Sequence, residues 1–444
     1  MPSCMSSRLK SEFERRPLLW LAMLAVAAVY AVSYASFPVY IDNWLFEYFY
    51  IDSNGGSTDF NLGAWFGFMV REYNTENIRL PQILAPVISL HLDRLNWPAS
   101  IVLGLCTAGM IFLTARLACG RTSAMNVFFI WIVLTVVLPW RNWLAGQLYA
   151  INYMPAAFVL LLVMYLLRKS STMKLRYLLP LLFLEIWLHE TIGLTLACGM
   201  LGYMIMQGFR VGPRWYIATS AALGFALLLV FGAGMSVRIG NEVSFDITAE
   251  KIALNLVVHF AFYLLAVAYL LCLTLQRTRA AALELLHDPV FVTAAASAIA
   301  TTVMNFFTPC QSRYGFSAQL TSVVAAGILL RQYFGLPELP RYARKATATA
   351  MFVVMIAFWS CVAWYQHAKY QEYTRMIQCM RQAGGGRVEM EFDYLDKSQP
   401  WLLNIPMRNL INYSYNTYCL SRRFPEIDRS IVIVRPDGTE YEHE

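Results

Sequence analysis

Long apolar runs separated by short polar connections fill most of the chain. They fall at 17–38, 98–117, 124–139, 152–167, 178–188, 191–206, 215–235, 252–275, 289–307, 314–330 and 346–365. A helix rises 1.5 Å per residue, so about 20 apolar residues cross a bilayer core. The pattern predicts an all-α polytopic membrane protein of about eleven transmembrane helices. Between the first two runs lies a long connection, 39–97, in which 61–73 and 78–92 carry apolar residues at helical spacing, interrupted by Pro81 and Pro86. This spacing predicts helices lying in the membrane interface. Beyond residue 365 the polarity changes. Arg387 to Phe392 alternates like a strand, and Ser430 to Val434 runs into the turn signal Pro436-Asp437-Gly438. Residues 366–444 are expected to form a small α+β domain, and 17–365 the membrane domain.

Composition agrees with the pattern. Of 444 residues, 58% are hydrophobic and only 14% charged, against roughly a quarter charged in soluble domains. The formal net charge of +7 does not point to nucleic acid, because the bases are scattered between apolar runs. They gather in alternate connections: Arg116 and Arg121; Arg168, Lys169, Lys174 and Arg176; Arg210 and Arg214; Arg277 and Arg279; Arg331, Arg341, Arg344 and Lys345. The positive-inside rule then places residues 1–16 in the cytoplasm, and 39–97 and 366–444 outside. The first run is long and lacks a clean cleavage site, so it is expected to be retained as a span.

Nine cysteines form no CxxC or Cys/His cluster, which gives no zinc or haem signature. Cys106, Cys198, Cys272 and Cys361 fall in apolar runs, as small packing residues do. Cys379 and Cys419 lie in the outside segment, where a disulfide between them is a hypothesis. Two halves with corresponding broken helices, the mark of an inverted-repeat transporter, are not evident.

Ionisable and polar groups gather in the outside connections. The first holds Asp42, Asp52, Asp59, Glu72, Glu76 and Arg79; the second holds Trp140-Arg141-Asn142-Trp143 and Asn152-Tyr153. Later ones hold Glu185 with His189-Glu190, and Pro309-Cys310-Gln311-Ser312-Arg313. Asp42 either caps the next helix or serves chemistry at the membrane surface. Arg141 is either an interfacial anchor or a site cation, Arg313 a loop charge or a site cation, and Asp52 and Asp59 fit solvated turns. Glu185 and His189, four apart, are expected on one helical face near the border, where ionisable pairs are costly and functional. His189-Glu190 begins like a zincin motif, but position 193 is Gly, so the second histidine ligand is absent. One carboxylate and several arginines on the outer face fit sugar transfer from a polyprenyl phosphate. The departing phosphate needs guanidinium partners, and the acceptor hydroxyl needs a base.

At these points the chain resembles the GT-C glycosyltransferases, and more narrowly the bacterial members that decorate O-antigen and related surface glycans. Asp42-Asn43 stands where that family carries an acidic pair, Asn77-Ile78-Arg79 where it carries an Asn-x-Arg element, and Asn152-Tyr153 where it carries an Asn-Tyr pair. The likeness covers the membrane part, and Asn43 in place of the second acid is a departure. The resemblance implies a multi-pass enzyme of the bacterial inner membrane with a cytoplasmic N-terminus and a periplasmic C-terminus. Its partners are a polyprenyl-phosphate-linked sugar, a surface glycan or glycolipid acceptor, and membrane lipid, with no nucleic acid. It implies Asp42 as catalytic base and Arg79, Arg141 and Arg313 at the donor phosphate. Glu76, Asn152, Tyr153, Glu185, His189 and Glu190 would shape the substrate site. No metal ligand is assigned, and a divalent cation is left open. The alternatives are an O-antigen polymerase or ligase and, from another class, a lipid-linked glycan flippase.

Overall fold

The computed structural model describes residues 17–37, 48–75, 79–81, 83–84, 97–140, 147–168, 174–232, 247–308, 315–334, 340–395 and 414–440. Helices dominate. They are α1 (Pro17–Ala35), α2 (Leu62–Thr75), α3 (Trp97–Cys119), α4 (Ala124–Val137), α5 (Gln147–Leu167), α6 (Leu175–Leu188) and α7 (Glu190–Met206). There follow α8 (Pro213–Val230), α9 (Ala249–Val258), α10 (Phe260–Thr274), α11 (Gln276–Leu285), α12 (Pro289–Phe307), α13 (Phe316–Phe334) and α14 (Arg341–Ala383). The last elements are β1 (Arg387–Glu389), α15 (Ser414–Arg423) and β2 (Val432–Val434).

Every predicted apolar run is helical in its described part, but not every helix is a crossing by length and composition. Among the described residues six helices are long and apolar enough: α1, α3, α5, α8, α12 and α14. A seventh is reached if the bent pair α9 and α10 counts as one. This corrects the expectation of about eleven. For three of the predicted spans the physical reason is length: α4 and α6 have 14 residues and α7 has 17, short of the roughly 20 that span a hydrocarbon core. α13, at 19 residues, is as long as α1 but carries Gln319, Thr321, Ser322, Arg331 and Gln332 and is too polar. The outward faces remain apolar, with Leu18, Leu228, Val257 and Val354 largely exposed, as lipid contact requires and water does not favour.

Small residues let the helices approach. A Cβ on Gly104 of α3 would meet the Ala27 carbonyl of α1 at 2.3 Å, and one on Gly199 of α7 would meet Ser297 Oγ of α12 at 2.2 Å. Gly327 of α13 likewise lies against Ala118 of α3. Such close contacts are how helices pack where lipid removes the hydrophobic drive between them. Side-chain contacts give the bundle two ends. Arg168 Nη1 donates to the Arg116 carbonyl, and Gly120 lies against Arg331, at the near end. At the opposite, far end, Ser33 donates to Gln366, and Tyr153 stacks edge-on against Phe316 at 5.4 Å. Between them Tyr30, Trp131, Trp140 and Trp359 knit α1, α4 and α14, with Trp131 Nε1 donating to Tyr30 OH at 3.0 Å.

One apolar run departs from a straight helix. α9 and α10 meet at an 80° bend at His259. A break leaves backbone groups that lipid cannot satisfy, so protein must. Gln319 Nε2 of α13 donates to the Val258 carbonyl at 2.7 Å, and Asn305 Nδ2 of α12 meets His259 Nε2 at 2.9 Å. Asn255 Nδ2 donates to the Thr302 carbonyl at 3.1 Å, and Asn255 Oδ1 accepts from Tyr263 OH at 2.8 Å.

α14 runs for 43 residues, well past the predicted end near 365, and its last third anchors a second core. Tyr373, Met376 and Met380 pack with Tyr50, Ile51 and Phe68 of the first connection and with Val388, Leu395, Leu420 and Ile433. The predicted strand segments meet as a short parallel pair, Val388 opposite Ile433. Glu372 accepts the backbone N–H groups of Asp393, Tyr394 and Leu395 at 2.8–3.0 Å. Cys379 and Cys419 both belong to this core and are not joined in a disulfide, which corrects the disulfide hypothesis. Cys419 is fully buried there as a small apolar residue.

Candidate functional site

The far end brings together residues that the sequence scatters. His189 is the joint: it has extended backbone (φ −156°, ψ 101°), ends α6 and begins α7. Glu185 and His189 are therefore not on one continuous helical face, as their spacing predicted, because the chain reverses between them. The reversal is tight. A Cβ on Gly193 would lie 2.6 Å from Ile186 Cα, so the glycine standing where a zincin would carry histidine is required by helix approach.

Next to the joint, Arg79 from the first connection donates through Nε and Nη2 to the two carboxylate oxygens of Glu190. Glu190 is buried, with side-chain exposure of 3%, and Arg79 is largely buried at 13%. A two-pronged guanidinium–carboxylate contact fixes the plane of both groups. His189 is buried as well; its Nδ1 lies 2.9 Å from Thr191 Oγ1, and its ring lies 4.9 Å from that of Tyr153. Tyr153 bridges His189 and Phe316, so α5, the α6–α7 joint and α13 meet here. Asn152 is buried beside it in the sequence, inside the first turns of α5 rather than at its start.

Glu185 lies one turn back in α6 and is fully buried. Its carboxylate oxygens have no hydrogen-bond partner among the described residues, although the Leu160 amide of α5 is an electrostatic neighbour. The Leu160 amide already serves its own helix. A buried carboxyl without donors is costly to keep ionised, and such groups mark functional positions in membrane bundles.

The first connection approaches this end through α2. Its inner face buries Ala64, Phe68 and Glu72, while Leu62, Phe66 and Val70 stay exposed, as expected for an interfacial helix. Trp65 Nε1 donates to the Ile83 carbonyl at 2.8 Å, tying α2 to the stretch that carries Arg79. Of the second expected interfacial helix, 78–92, residues 80, 81, 83 and 84 are helical. Asp52, read as a turn residue, accepts from Arg71 Nη1 at 3.0 Å.

Of the ten candidate residues, Arg79, Asn152, Tyr153, Glu185, His189 and Glu190 are described, and Arg79, His189, Glu190 and Tyr153 form one contiguous set. Asp42, Glu76, Arg141 and Arg313 lie outside the described residues. Among the described residues no group of three or more His, Cys, Asp or Glu converges as a metal site. Sequence reasoning missed Phe316, which completes the aromatic wall, and the Thr191 hydroxyl at the joint. The first is an ordinary apolar residue in the sequence; only its neighbours in space distinguish it. No protein-family model and no curated protein matches the chain, so any functional reading rests on the chemistry of these residues.

Proposed function

We propose that the chain is a membrane glycosyltransferase that moves a sugar from a polyprenyl-phosphate donor to a surface glycan or lipid-linked acceptor. The reading places the reaction at the far end of the bundle, at the outer face of a bacterial inner membrane, with the N-terminus in the cytoplasm. The observation that carries it is the largely buried Arg79–Glu190 pair set beside His189 and Tyr153 at a bundle end bordered by the amphipathic helix α2. Lipid-linked substrates need that arrangement: an apolar flank for the tail and oriented cations at the border for the phosphate.

In this reading Glu190 holds the Arg79 guanidinium in a fixed plane, and Arg79, with Arg141 and Arg313, stabilises the charge that grows on the departing phosphate. Asp42 takes the proton of the acceptor hydroxyl as that oxygen bonds to the anomeric carbon and the carbon–phosphate-oxygen bond breaks. Glu185, His189, Tyr153 and Asn152, with Glu76, shape the sugar and acceptor pocket.

Purified protein in lipid nanodiscs, supplied with polyprenyl-phosphate hexoses and lipid-linked acceptors, should form a new glycosidic bond. Asp42→Asn should abolish transfer with the protein still in the membrane, and full activity in that variant would remove Asp42 from the reaction. Arg79→Ala should raise the donor concentration needed. A second reading, lipid-linked glycan transport, is favoured by one observation: the 80° break at His259, lined by Asn255, Asn305 and Gln319. Broken helices lining polar sites are a feature of transporters. Movement of a labelled lipid-linked glycan across vesicles with no new bond would select it.

A further inference from the structure

At the near end a groove of about 620 Å³ opens between α1, α4 and α14, within the size range of ligand pockets, roughly 300–1,000 Å³. Its walls are apolar: Ala22 and Ala25 of α1, Phe128 of α4, Ala348 and Phe352 of α14. Its rim is cationic, formed by Arg344 and Lys345, both exposed, beside Ser123 at the start of α4. Ser123 Oγ caps the Asn126 amide; Ala124 and Met125 of the same first turn also line the groove, where the positive end of the helix dipole lies. The outer edge belongs to Leu18 and Leu21, 80% and 62% exposed, so the groove is continuous with the surface that lipid covers.

We propose that this groove seats an anionic glycerophospholipid, with its phosphate at Arg344, Lys345 and the α4 N-terminus and one acyl chain along the apolar walls. Charge decides between occupants. The nearest stretch of the chain's own sequence, residues 1–16, carries Arg8, Lys10, Arg15 and Arg16 against Glu12 and Glu14, so its net charge stays positive and a cationic rim disfavours it. A zwitterionic lipid gives up most of the electrostatic gain, whereas each Lys or Arg near a membrane surface favours anionic lipid. The groove lies at the opposite end from Arg79 and Glu190, so it is separate from the proposed donor site and does not depend on that reading.

Full-length protein in detergent, titrated with phosphatidylglycerol or phosphatidylcholine and read by native mass spectrometry, tests this. One phosphatidylglycerol should be retained in preference to phosphatidylcholine. The R344Q/K345Q variant should weaken that retention roughly tenfold. Ala25→Trp, which fills the groove and keeps both charges, should displace the lipid; Thr349→Trp at the facing wall replaces it if Ala25→Trp fails to fold. Equal retention of both lipids, or unchanged phosphatidylglycerol binding in the charge variant or in the folded groove-filling variant, would overturn the proposal. So would binding of inorganic phosphate at the rim with no lipid retained.

Discussion

A buried ion pair is most informative when it is half removed. Glu190→Ala removes the carboxylate that both Arg79 nitrogens contact and should destabilise the protein by up to about 3–5 kcal/mol. Arg79→Ala should cost a similar amount, and the double variant less than the sum, because no charge is then left uncompensated. Thermal melts of the four proteins in one detergent measure this, and additive losses would contradict a direct pair. Both residues stand out in the sequence as ionisable groups at the ends of apolar runs, but their pairing across 111 positions does not. Nothing in local spacing links a first connection to a helix start that far along the chain. Glu185 and His189 show the converse: their spacing promises a shared helical face, and the reversal at His189 removes it.

Also at the residue scale, the C-terminal segment carries its own pH dependence. The Ser430 hydroxyl, at 2.6 Å, and then the Ser430 amide hold the Asp428 carboxyl below the usual range, and Thr439 does the same for Asp437. A folded-state pKa below the unfolded one means that the contribution is complete above about pH 4 and is lost as pH falls through the folded value. The protection factors of residues 427–440, corrected for intrinsic exchange, should therefore fall as pH drops below that value while the bundle helices stay protected; protection factors that do not change on acidification would contradict it.

At the scale of elements, apolar periodicity located the helices well because lipid-facing and buried faces are both apolar and every backbone group must be satisfied within the helix. Length was less legible. α14 runs on past its apolar stretch, since its last turns are stabilised by Tyr373, Met376 and Met380 against the second core rather than by lipid. The break at His259 is only hinted at in sequence, by Asn255 and His259 inside the otherwise apolar run 252–275, and Gln319 and Asn305 from other helices make the bend tolerable. Packing between elements gives a direct prediction. Gly199→Leu would drive side-chain atoms into Ser297 and the Thr293 carbonyl of α12, costing about 1–3 kcal/mol or more. A melting temperature unchanged by that substitution would mean α7 and α12 do not meet as described.

Across the whole molecule, described residues of the first connection and of the C-terminal segment share one core on the end of α14. Tyr50 and Phe68 share a core with Val388 and Ile433, some three hundred residues later, and Glu372 fastens the intervening loop through three backbone amides. Glu372→Ala leaves those amides without their acceptor and should cost about 1–3 kcal/mol. Limited proteolysis near residues 391–396 should then speed up while cleavage at near-end connections does not; equal protection would show the loop is held by other contacts. The sequence by itself determined that this is a helical membrane protein, where its helices lie, and which ionisable residues crowd the connections, because those properties follow from local hydropathy and backbone satisfaction. Tertiary structure alone decided which helices are long enough to cross and where one breaks. It alone also decided that Arg79 pairs with Glu190 beside His189 and Tyr153, because these depend on contacts between segments whose separation in the chain carries no signal of their meeting.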